Sequence, residues 1–344
     1  MVCIIFGLPC FVLSFTSKSL AMKTSATTRY VFISLIFLMY AACPSVMAQS
    51  FTVGQDSTGS AYFYPGVSAV VLEKDANEIV SRNNFTSFWL AVNEYDPATK
   101  GTRVSDRFRQ TIVEHAVQLS RGFSKNQRWD LGVEMRYAHT RLDSIANSSP
   151  WKALGNDNNG GESYHGMSWL GVRSRMMPFG KLPELTLQGT VLFPINGDYR
   201  DRRNLGANRI QASLGATFFR KPLDQTYYFL SVEWKTFFRD LENDKISHTP
   251  SVGAYLIREM MDRRLYVLAG LAYSPNYEQF YRNGPLRKKS EFFLGFIGLQ
   301  YQPSRQLGIY LNTQYPFILD SGSDYIQWVK QSFSAWSLGV RVLL

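Results

Sequence analysis

The sequence predicts an all-β protein, a closed antiparallel transmembrane β-barrel of about 12 strands, preceded by a cleaved signal peptide. Three observations predict this fold. Apolar and polar residues alternate with a period of two along segments that are long enough to cross a bilayer. The links between these segments alternate between short and long. Aromatic residues make up 15% of the chain and gather at the segment ends, as in the aromatic girdles at the two membrane interfaces.

The chain begins with a targeting segment. After Met22 come a basic region, an apolar run at 31–42 and a small residue at Ala48. This layout predicts a secretory signal that is removed after Ala48. The alternative is an uncleaved membrane anchor, because the apolar run is nearly long enough to span a bilayer. Residues 1–48 are therefore assigned to the signal region, with Met22 as a second possible translation start.

Cysteine content and charge exclude several classes of protein. All three cysteines precede residue 49, so a chain cut after Ala48 contains neither disulfides nor thiolate zinc sites. The full chain has a net charge of +10. Its basic residues are scattered singly and form no recognition motif, so no nucleic-acid partner is predicted. The four histidines form no metal-spaced pair, and the sequence predicts no metal and no cofactor.

The twelve predicted strands follow one another from the middle of the chain to its end. Alternation is typical of a strand with two different faces, and it is clearest in "ELTLQGTVLF" and in "SLGVRVLL". The predicted strands are Phe85–Tyr95, Phe108–Phe123, Arg128–Thr140, Tyr164–Met177, Glu184–Ile195, Arg209–Phe219, Thr226–Phe238, Thr249–Met260, Arg264–Ser274, Glu291–Gln302, Leu307–Phe317 and Phe333–Leu344.

The lengths of the links between the predicted strands indicate the architecture. Short, turn-rich links such as "SKNQ" and "KPLDQ" follow the even-numbered strands, and links of about ten residues or more follow the odd-numbered ones. Outer-membrane barrels have short periplasmic turns, long outside loops and an even number of strands. We therefore expect both termini on the periplasmic side. The alternative is a soluble sandwich or a lipocalin-like barrel with aromatic residues in its core, although a sandwich does not require this alternation of link lengths.

Two regions follow the signal. Residues 49–83 are predicted to be a periplasmic lead or plug segment, with an extra pair of strands as the alternative, and residues 84–344 to be the barrel. A charge that faces lipid near the midplane costs ~2–4 kcal/mol, so the polar face of each strand is expected to line the lumen. The predicted lumen-facing residues are Glu114, Gln118, Glu134, Arg136, Arg173, Arg175, Glu184, Gln188, Arg209, Gln211, Glu233, Lys235, Asn312, Gln314 and Arg341.

These polar residues have two interpretations. They either form a solute-lining surface that sets selectivity or an internal ion-pair network that only fills the barrel. Eight strands give a filled interior and sixteen an aqueous channel, so twelve strands permit both. No nucleophile elbow, phosphate-binding loop or dinucleotide fingerprint occurs, and the chain is not predicted to be an enzyme. His165 with Ser168 is the one weak arrangement of catalytic type.

Some short motifs resemble known barrels. "MAQS" at the predicted cleavage site, "FPING" at the end of the fifth strand, "LAYSP" and the terminal "FSAWSLGVRVLL" resemble uncharacterised outer-membrane β-barrel proteins of Bacteroidetes-type bacteria. The chain is also loosely similar to the MetA-type barrels associated with phenol degradation. The resemblance covers about residues 84–344 and implies passage of small hydrophobic or aromatic solutes. It carries over no functional residue.

The sequence thus predicts an outer-membrane β-barrel of a Gram-negative bacterium that acts as a narrow channel or transporter for a small solute. The alternatives are a non-conducting structural or partner-binding barrel and a barrel-embedded lipid-modifying enzyme. Expected partners are outer-membrane lipid and lipopolysaccharide, a small-molecule solute, and the outer-membrane assembly machinery. The assembly machinery is expected to contact the last strand, Phe333–Leu344.

Overall fold

The computed structural model describes most of the chain from residue 71 onward. The described residues are 71–96, 101–124, 129–145, 148–154, 161–180, 182, 184–195, 205, 209–223, 225–238, 245–261, 264–280, 284–304, 306–320, 322 and 326–344. The predicted signal region and the first part of the predicted lead, 49–70, lie outside them. Within the described ranges, no helix is long and apolar enough to cross a membrane.

Twelve strands of the described chain form one closed antiparallel barrel, in which each strand pairs with its neighbours in sequence and β1 pairs with β12. The strands are β1 (Asn77–Asp96), β2 (Gly101–Gly122), β3 (Trp129–Asp143), β4 (Gly161–Met176), β5 (Leu185–Pro194), β6 (Gln211–Leu223), β7 (Thr226–Phe237), β8 (Lys245–Met260), β9 (Leu265–Phe280), β10 (Leu286–Tyr301), β11 (Leu307–Asp320) and β12 (Ile326–Leu343). The prediction of a twelve-stranded closed barrel is confirmed.

The barrel has two different ends. At the terminus end, β1 begins, β12 ends and the links after the even-numbered strands lie; at the loop end lie the links after the odd-numbered strands. The loop-end links after β1, β9 and β11 are shorter than predicted, at 97–100, 281–285 and 321–325, because the strands continue into them. Closure at the terminus end is completed by two backbone hydrogen bonds between Asn77 and Leu344, of 3.0 and 2.9 Å. A closed sheet leaves no unpaired edge, which a β-structure in lipid requires.

Several strands extend beyond their predicted ends, mostly at the loop end. β2 begins seven residues earlier than predicted, β9 ends six residues later, and β12 begins seven residues earlier. In these extensions backbone pairing continues while the apolar face is lost, so the alternation that predicts a strand disappears before the strand ends. β1 also begins eight residues earlier, at Asn77, so residues 77–83 belong to the barrel wall instead of the predicted lead.

The two faces of the wall differ as the alternation predicts. On β3, Leu131, Val133 and Met135 point outward and are 42–47% exposed. Between them, Asp130 and Glu134 point inward and are 1% and 2% exposed. Successive side chains of a strand point to opposite sides of the sheet. The wall therefore presents an apolar outer surface and a largely polar inner surface.

A short 3-10 helix, Pro150–Leu154, follows β3 and packs on the outer face of the wall. Its Trp151 ring stacks on Phe85 of β1, with ring centroids 5.3 Å apart, and Phe85 also stacks on Trp336 of β12 at 5.1 Å. The helix therefore covers the outer side of the seam where β1 meets β12.

Candidate functional site

The candidate site is the interior of the barrel, whose wall is divided into a charged part and an apolar part. Charged and amide side chains line β1 to β4, with contributions from β11 and β12. Aromatic and aliphatic side chains line the halves of β6 to β10 that are nearer the terminus end. Ion pairs between strands that are not neighbours, such as β1 with β4, span the interior.

A fully buried ion cluster lies inside the terminus end. Arg175 of β4 donates to both carboxylate oxygens of Asp130 at 3.0 and 2.9 Å and to Glu78 of β1 at 2.9 Å. Arg341 of β12 donates to the other oxygen of Glu78 at 2.7 Å. All four residues are at most 4% exposed. The cluster joins β1, β3, β4 and β12 across the interior, and each charge in it has an opposite partner.

A second network lies nearer the middle of the barrel. The Glu134 carboxylate accepts from Arg136 at 2.6 Å and from Arg82 of β1 at 3.5 Å. It also accepts a short hydrogen bond from the Gln118 side-chain amide. Arg136 reaches Glu114 of β2 at 3.5 Å. Glu134 and Arg136 therefore belong to one network that spans β1, β2 and β3.

Arg173 of β4 differs from the other interior arginines in its contacts. Its guanidinium donates to the amide oxygens of Gln118 at 2.7 Å and Gln188 at 3.2 Å. No carboxylate of the described chain lies within ion-pair distance of it. The positive charge of Arg173 is thus held in place by neutral acceptors.

The opposite wall is apolar. Its buried core is Tyr227, Phe229, Ile257, Tyr266 and Leu268, with Phe219, Tyr255 and Phe296 packed against it. The Tyr227 hydroxyl donates to Glu259 at 3.0 Å. We call this set the apolar wall. It starts at the terminus end, because Tyr227 and Tyr266 are each the second residue of a strand that begins there.

The remaining predicted site residues lie apart from the charged networks. Glu184 lies in the turn before β5, and Arg209 lies two residues before β6, where it donates to Ser247 at 3.0 Å. Both were predicted to lie within strands. Five more lie on the inward positions of β6, β7 and β11, where they are buried or half-buried: Gln211, Glu233, Lys235, Asn312 and Gln314.

Among the polar residues of the charged networks, sequence reasoning missed Glu78, Arg82 and Asn84 of β1 and Asp130 of β3. The first half of β1 has polar residues on its outer face as well, at Ser81 and Asn83, so the alternation does not identify it as a strand. In "RWDLGVEMRYAHT", Asp130 lies four residues before Glu134 and therefore on the same face of the strand. This even spacing could have identified Asp130 as an inward-facing residue.

The weak catalytic arrangement is not assembled. Ser168 is completely buried at a bulge in β4, and its hydroxyl donates to the Arg136 carbonyl at 3.1 Å. His165 points outward and packs edge to face against His139, with ring centroids 5.7 Å apart. Within the described residues, no group of three or more His, Cys, Asp or Glu side chains has the geometry to hold a metal ion.

Comparison with known proteins identifies the fold. No family model and no curated protein sequence matches the chain. The structure is similar to the COG4313 outer-membrane channel of Pseudomonas putida F1, with a TM-score of 0.57 and 15% identity over 82% of this chain and all of that one. It is also similar to the β-domain of the Bordetella autotransporter BrkA, with a TM-score of 0.49 and 12% identity over 78% of this chain and 99% of that one. At this level of identity the first match shows a shared fold, that of an outer-membrane β-barrel. The finer resemblance to Bacteroidetes-type and MetA-type barrels stays a prediction.

Proposed function

We propose that the chain is a narrow channel of the Gram-negative outer membrane that passes a small solute, with both termini on the periplasmic side. The observation that carries the proposal is the position of Arg173. Inside a barrel whose only role is structural, each buried charge is expected to meet an opposite charge, because an unpaired buried charge is costly. Arg173 is instead held by two amide oxygens, so it is available to attract anions into the interior.

The test is conductance and ion selectivity of the purified protein in planar bilayers. We expect the wild type to conduct, with a reversal potential in a KCl gradient that indicates preference for chloride. Arg173→Gln removes the interior charge while the Gln118 and Gln188 contacts remain possible, so the preference is expected to fall. Arg258→Gln is the matched control, because Arg258 is exposed on the outer face and its loss removes the same charge from outside the conducting path.

A non-conducting structural barrel is the second candidate function. The fully paired cluster of Glu78, Asp130, Arg175 and Arg341 favours it, because this cluster fills part of the terminus end. Absence of conductance in both the wild type and Arg173→Gln, from protein that is folded by gel shift, would favour this candidate over the channel.

A lipid-modifying enzyme is not part of the proposal. A hydroxyl nucleophile needs an accessible oxygen and a base within hydrogen-bond reach, whereas Ser168 has no exposed surface and bonds a backbone carbonyl. We therefore propose a transport role and no catalysis. Unchanged lipid A in cells that carry His165→Ala, measured by mass spectrometry, is the expected outcome.

A further inference from the structure

Two charged side chains of β7, Glu233 and Lys235, lie side by side on the inner face of the barrel. They share this face with the buried Phe229, because even numbers of positions separate the three residues. Both are half-buried, and within the described chain neither makes a hydrogen bond or an ion pair. The carboxylates of the charged networks on β1 to β4, in contrast, each lie within 3.5 Å of a guanidinium. We call Glu233 and Lys235 the open pair.

The neighbours of the open pair on the adjoining strands are small and uncharged. Glu233 pairs with Gly215 of β6 and with Ser251 of β8. On the same two strands, the partners of the lysine are Ser213 and Thr249. Residues that are directly opposite each other on paired strands share one face of the sheet, so these four positions also face inward. None of them can neutralise the charges of the open pair.

A second pair of opposite charges, close by on β8 and β9, shows a different arrangement. Lys245 donates to Glu278 at 3.1 Å, so these two charges satisfy each other across neighbouring strands. The members of the open pair lie on one strand, where two residues span about 6.6 Å. The strand therefore presents a carboxylate and an ammonium group next to each other, and both are left for a group that is not part of the wall.

The hydroxyl groups beside the open pair add neutral hydrogen-bonding capacity. Ser213 and Ser251 have no hydrogen-bond partner within the described residues, and a serine hydroxyl can both donate and accept. The Thr249 hydroxyl differs, because it donates to the Asn276 side chain at 3.2 Å. The inner face of β6 to β8 thus offers one acid, one base and two hydroxyl groups at this level of the barrel.

We infer that the open pair is a binding site for a small zwitterionic solute, such as an amino acid or a short peptide. The carboxylate of the solute accepts from Lys235, and its ammonium group donates to Glu233. A simple anion is attracted by Lys235 and repelled by Glu233, and a simple cation meets the reverse. Only a solute that carries both charges is attracted by both residues. The inference rests on the proposed function, because it names the class of solute that enters the channel.

The first test compares the binding of three probes of similar size to the purified, folded barrel in detergent. Glycylglycine carries both charges, N-acetylglycine only the carboxylate, and glycylglycinamide only the ammonium group. Dissociation constants are measured by NMR titration. The wild type is expected to bind glycylglycine about tenfold more tightly than either singly charged probe, because each of those lacks one charge-assisted hydrogen bond. Equal affinities would overturn the inference and would show that the open pair is only solvated by water.

Single substitutions assign each contact. Glu233→Gln is expected to weaken glycylglycine about tenfold and to strengthen N-acetylglycine, because the repulsion between two carboxylates is removed. Lys235→Gln is expected to weaken glycylglycine to a similar extent and to strengthen glycylglycinamide instead. This reciprocal pattern requires that both side chains contact the solute. Unchanged binding of glycylglycine in either variant, from protein that is folded by gel shift, would overturn the inference.

The matched controls come from an ion pair that is already joined. Lys288 and Glu291 of β10 lie 2.7 Å apart, so neither charge is left for a solute. Lys288→Gln and Glu291→Gln remove the same charges from the protein as the two test variants and are expected to leave the binding of all three probes unchanged. Losses in these controls equal to those in Glu233→Gln and Lys235→Gln would assign the effect to net charge and would overturn the inference.

Transport is measured separately, by the swelling of liposomes that contain the barrel in solutions of each probe. Faster entry of glycylglycine than of N-acetylglycine, with the difference lost in Glu233→Gln, is expected. A barrel that conducts ions but binds the three probes equally retains the proposed channel function and lacks the zwitterion site. A barrel that binds glycylglycine through the open pair, but neither conducts nor admits solute, contains the site and is not a channel.

Discussion

At the scale of single residues, the four-residue ion cluster at the terminus end carries the largest expected effect on stability. Arg175 is 1% exposed and is the shared partner of Glu78 and Asp130. Arg175→Met removes the positive charge and leaves two buried carboxylates close together. Breaking a buried ion pair from one side costs about 3–5 kcal/mol, and we expect a loss of that size in urea unfolding followed by gel shift.

Two further variants separate charge from packing in this cluster. Arg175→Met combined with Asp130→Asn removes one of the stranded charges, so it is expected to be more stable than Arg175→Met alone. Arg121→Met is the exposed control: Arg121 donates to Asp75 at 2.9 Å and lowers the pKa of that carboxyl, but both side chains are solvated. No measurable loss is expected there. Equal losses for Arg175→Met and Arg121→Met would contradict the role of the cluster.

An inward-facing residue could be predicted from the sequence only where the outer face of its strand is apolar. Glu134, Arg136, Arg173 and Arg175 alternate with apolar residues that face outward, so their inward position follows from parity alone. Glu78 and Arg82 lie where the outer face is polar too, and only the pairing of β1 with β12 places them inside. Which acid meets which base depends on the curvature of the wall, since Arg175 and Glu78 come from strands separated by two others.

At the scale of strands, two tyrosines fold over glycines of the neighbouring strand. Tyr310 of β11 pairs with Gly339 of β12, and Tyr255 of β8 pairs with Gly270 of β9. In both pairs a side chain on the glycine would meet the tyrosine ring. Glycine has no side chain to cover the backbone, and the tyrosine ring packs over this bare backbone instead. The contact also fixes the register of the two strands.

Gly339→Val tests this packing. The added side chain has to displace the Tyr310 ring, and overpacking of this kind costs about 1–3 kcal/mol. We expect a lower urea midpoint, and the double variant Gly339→Val with Tyr310→Ala is expected to lose less than the sum of the two single variants. The measurement is a double-mutant cycle of unfolding free energies. Additive losses would show that ring and glycine are not coupled.

The 3-10 helix on the outer wall provides another prediction at this scale. Trp151→Ala removes the stacking on Phe85 and uncovers a ring that is now 3% exposed. Aromatic stacking contributes about 0.5–1.5 kcal/mol beyond area burial, and a loss of about 1 kcal/mol is expected in the same unfolding assay. Leu154→Ala is the control within the same helix, because the Leu154 side chain is 62% exposed. An equal loss for both would assign the effect to the helix as a whole instead of the stack.

Strand existence and strand length follow from different physics. All twelve strands were predictable because the lipid boundary imposes an apolar outer face on each of them. Their loop-end extensions were not, since water on both sides removes the alternation while backbone hydrogen bonds persist, as in the first residues of β2 and β12. The 3-10 helix was missed because "PWKAL" has no periodicity, and its position depends on the outward-facing Phe85–Trp336 pair across the seam.

At the scale of the whole molecule, stability rests on closure. β12 pairs with both β11 and β1, so removal of Phe333–Leu344 opens the sheet and leaves two unpaired edges. Unpaired backbone groups are not tolerated in lipid. We expect the truncated chain to lose the mobility difference between boiled and unboiled gel samples and to be absent from the outer-membrane fraction, whereas the full chain shows both.

The control keeps closure and changes only side chains. Replacing Leu343 and Leu344 by alanine leaves the backbone bonds between Asn77 and Leu344 intact, so the mobility difference is expected to persist. If the truncated chain also retained it, closure by β12 would not be what makes the barrel resistant to detergent. If the alanine variant lost it while the truncation behaved as expected, the terminal side chains themselves would be needed, either for assembly or for packing at the interface. If closure of the sheet causes the resistance to detergent, the alanine variant keeps the mobility difference and the truncated chain loses it.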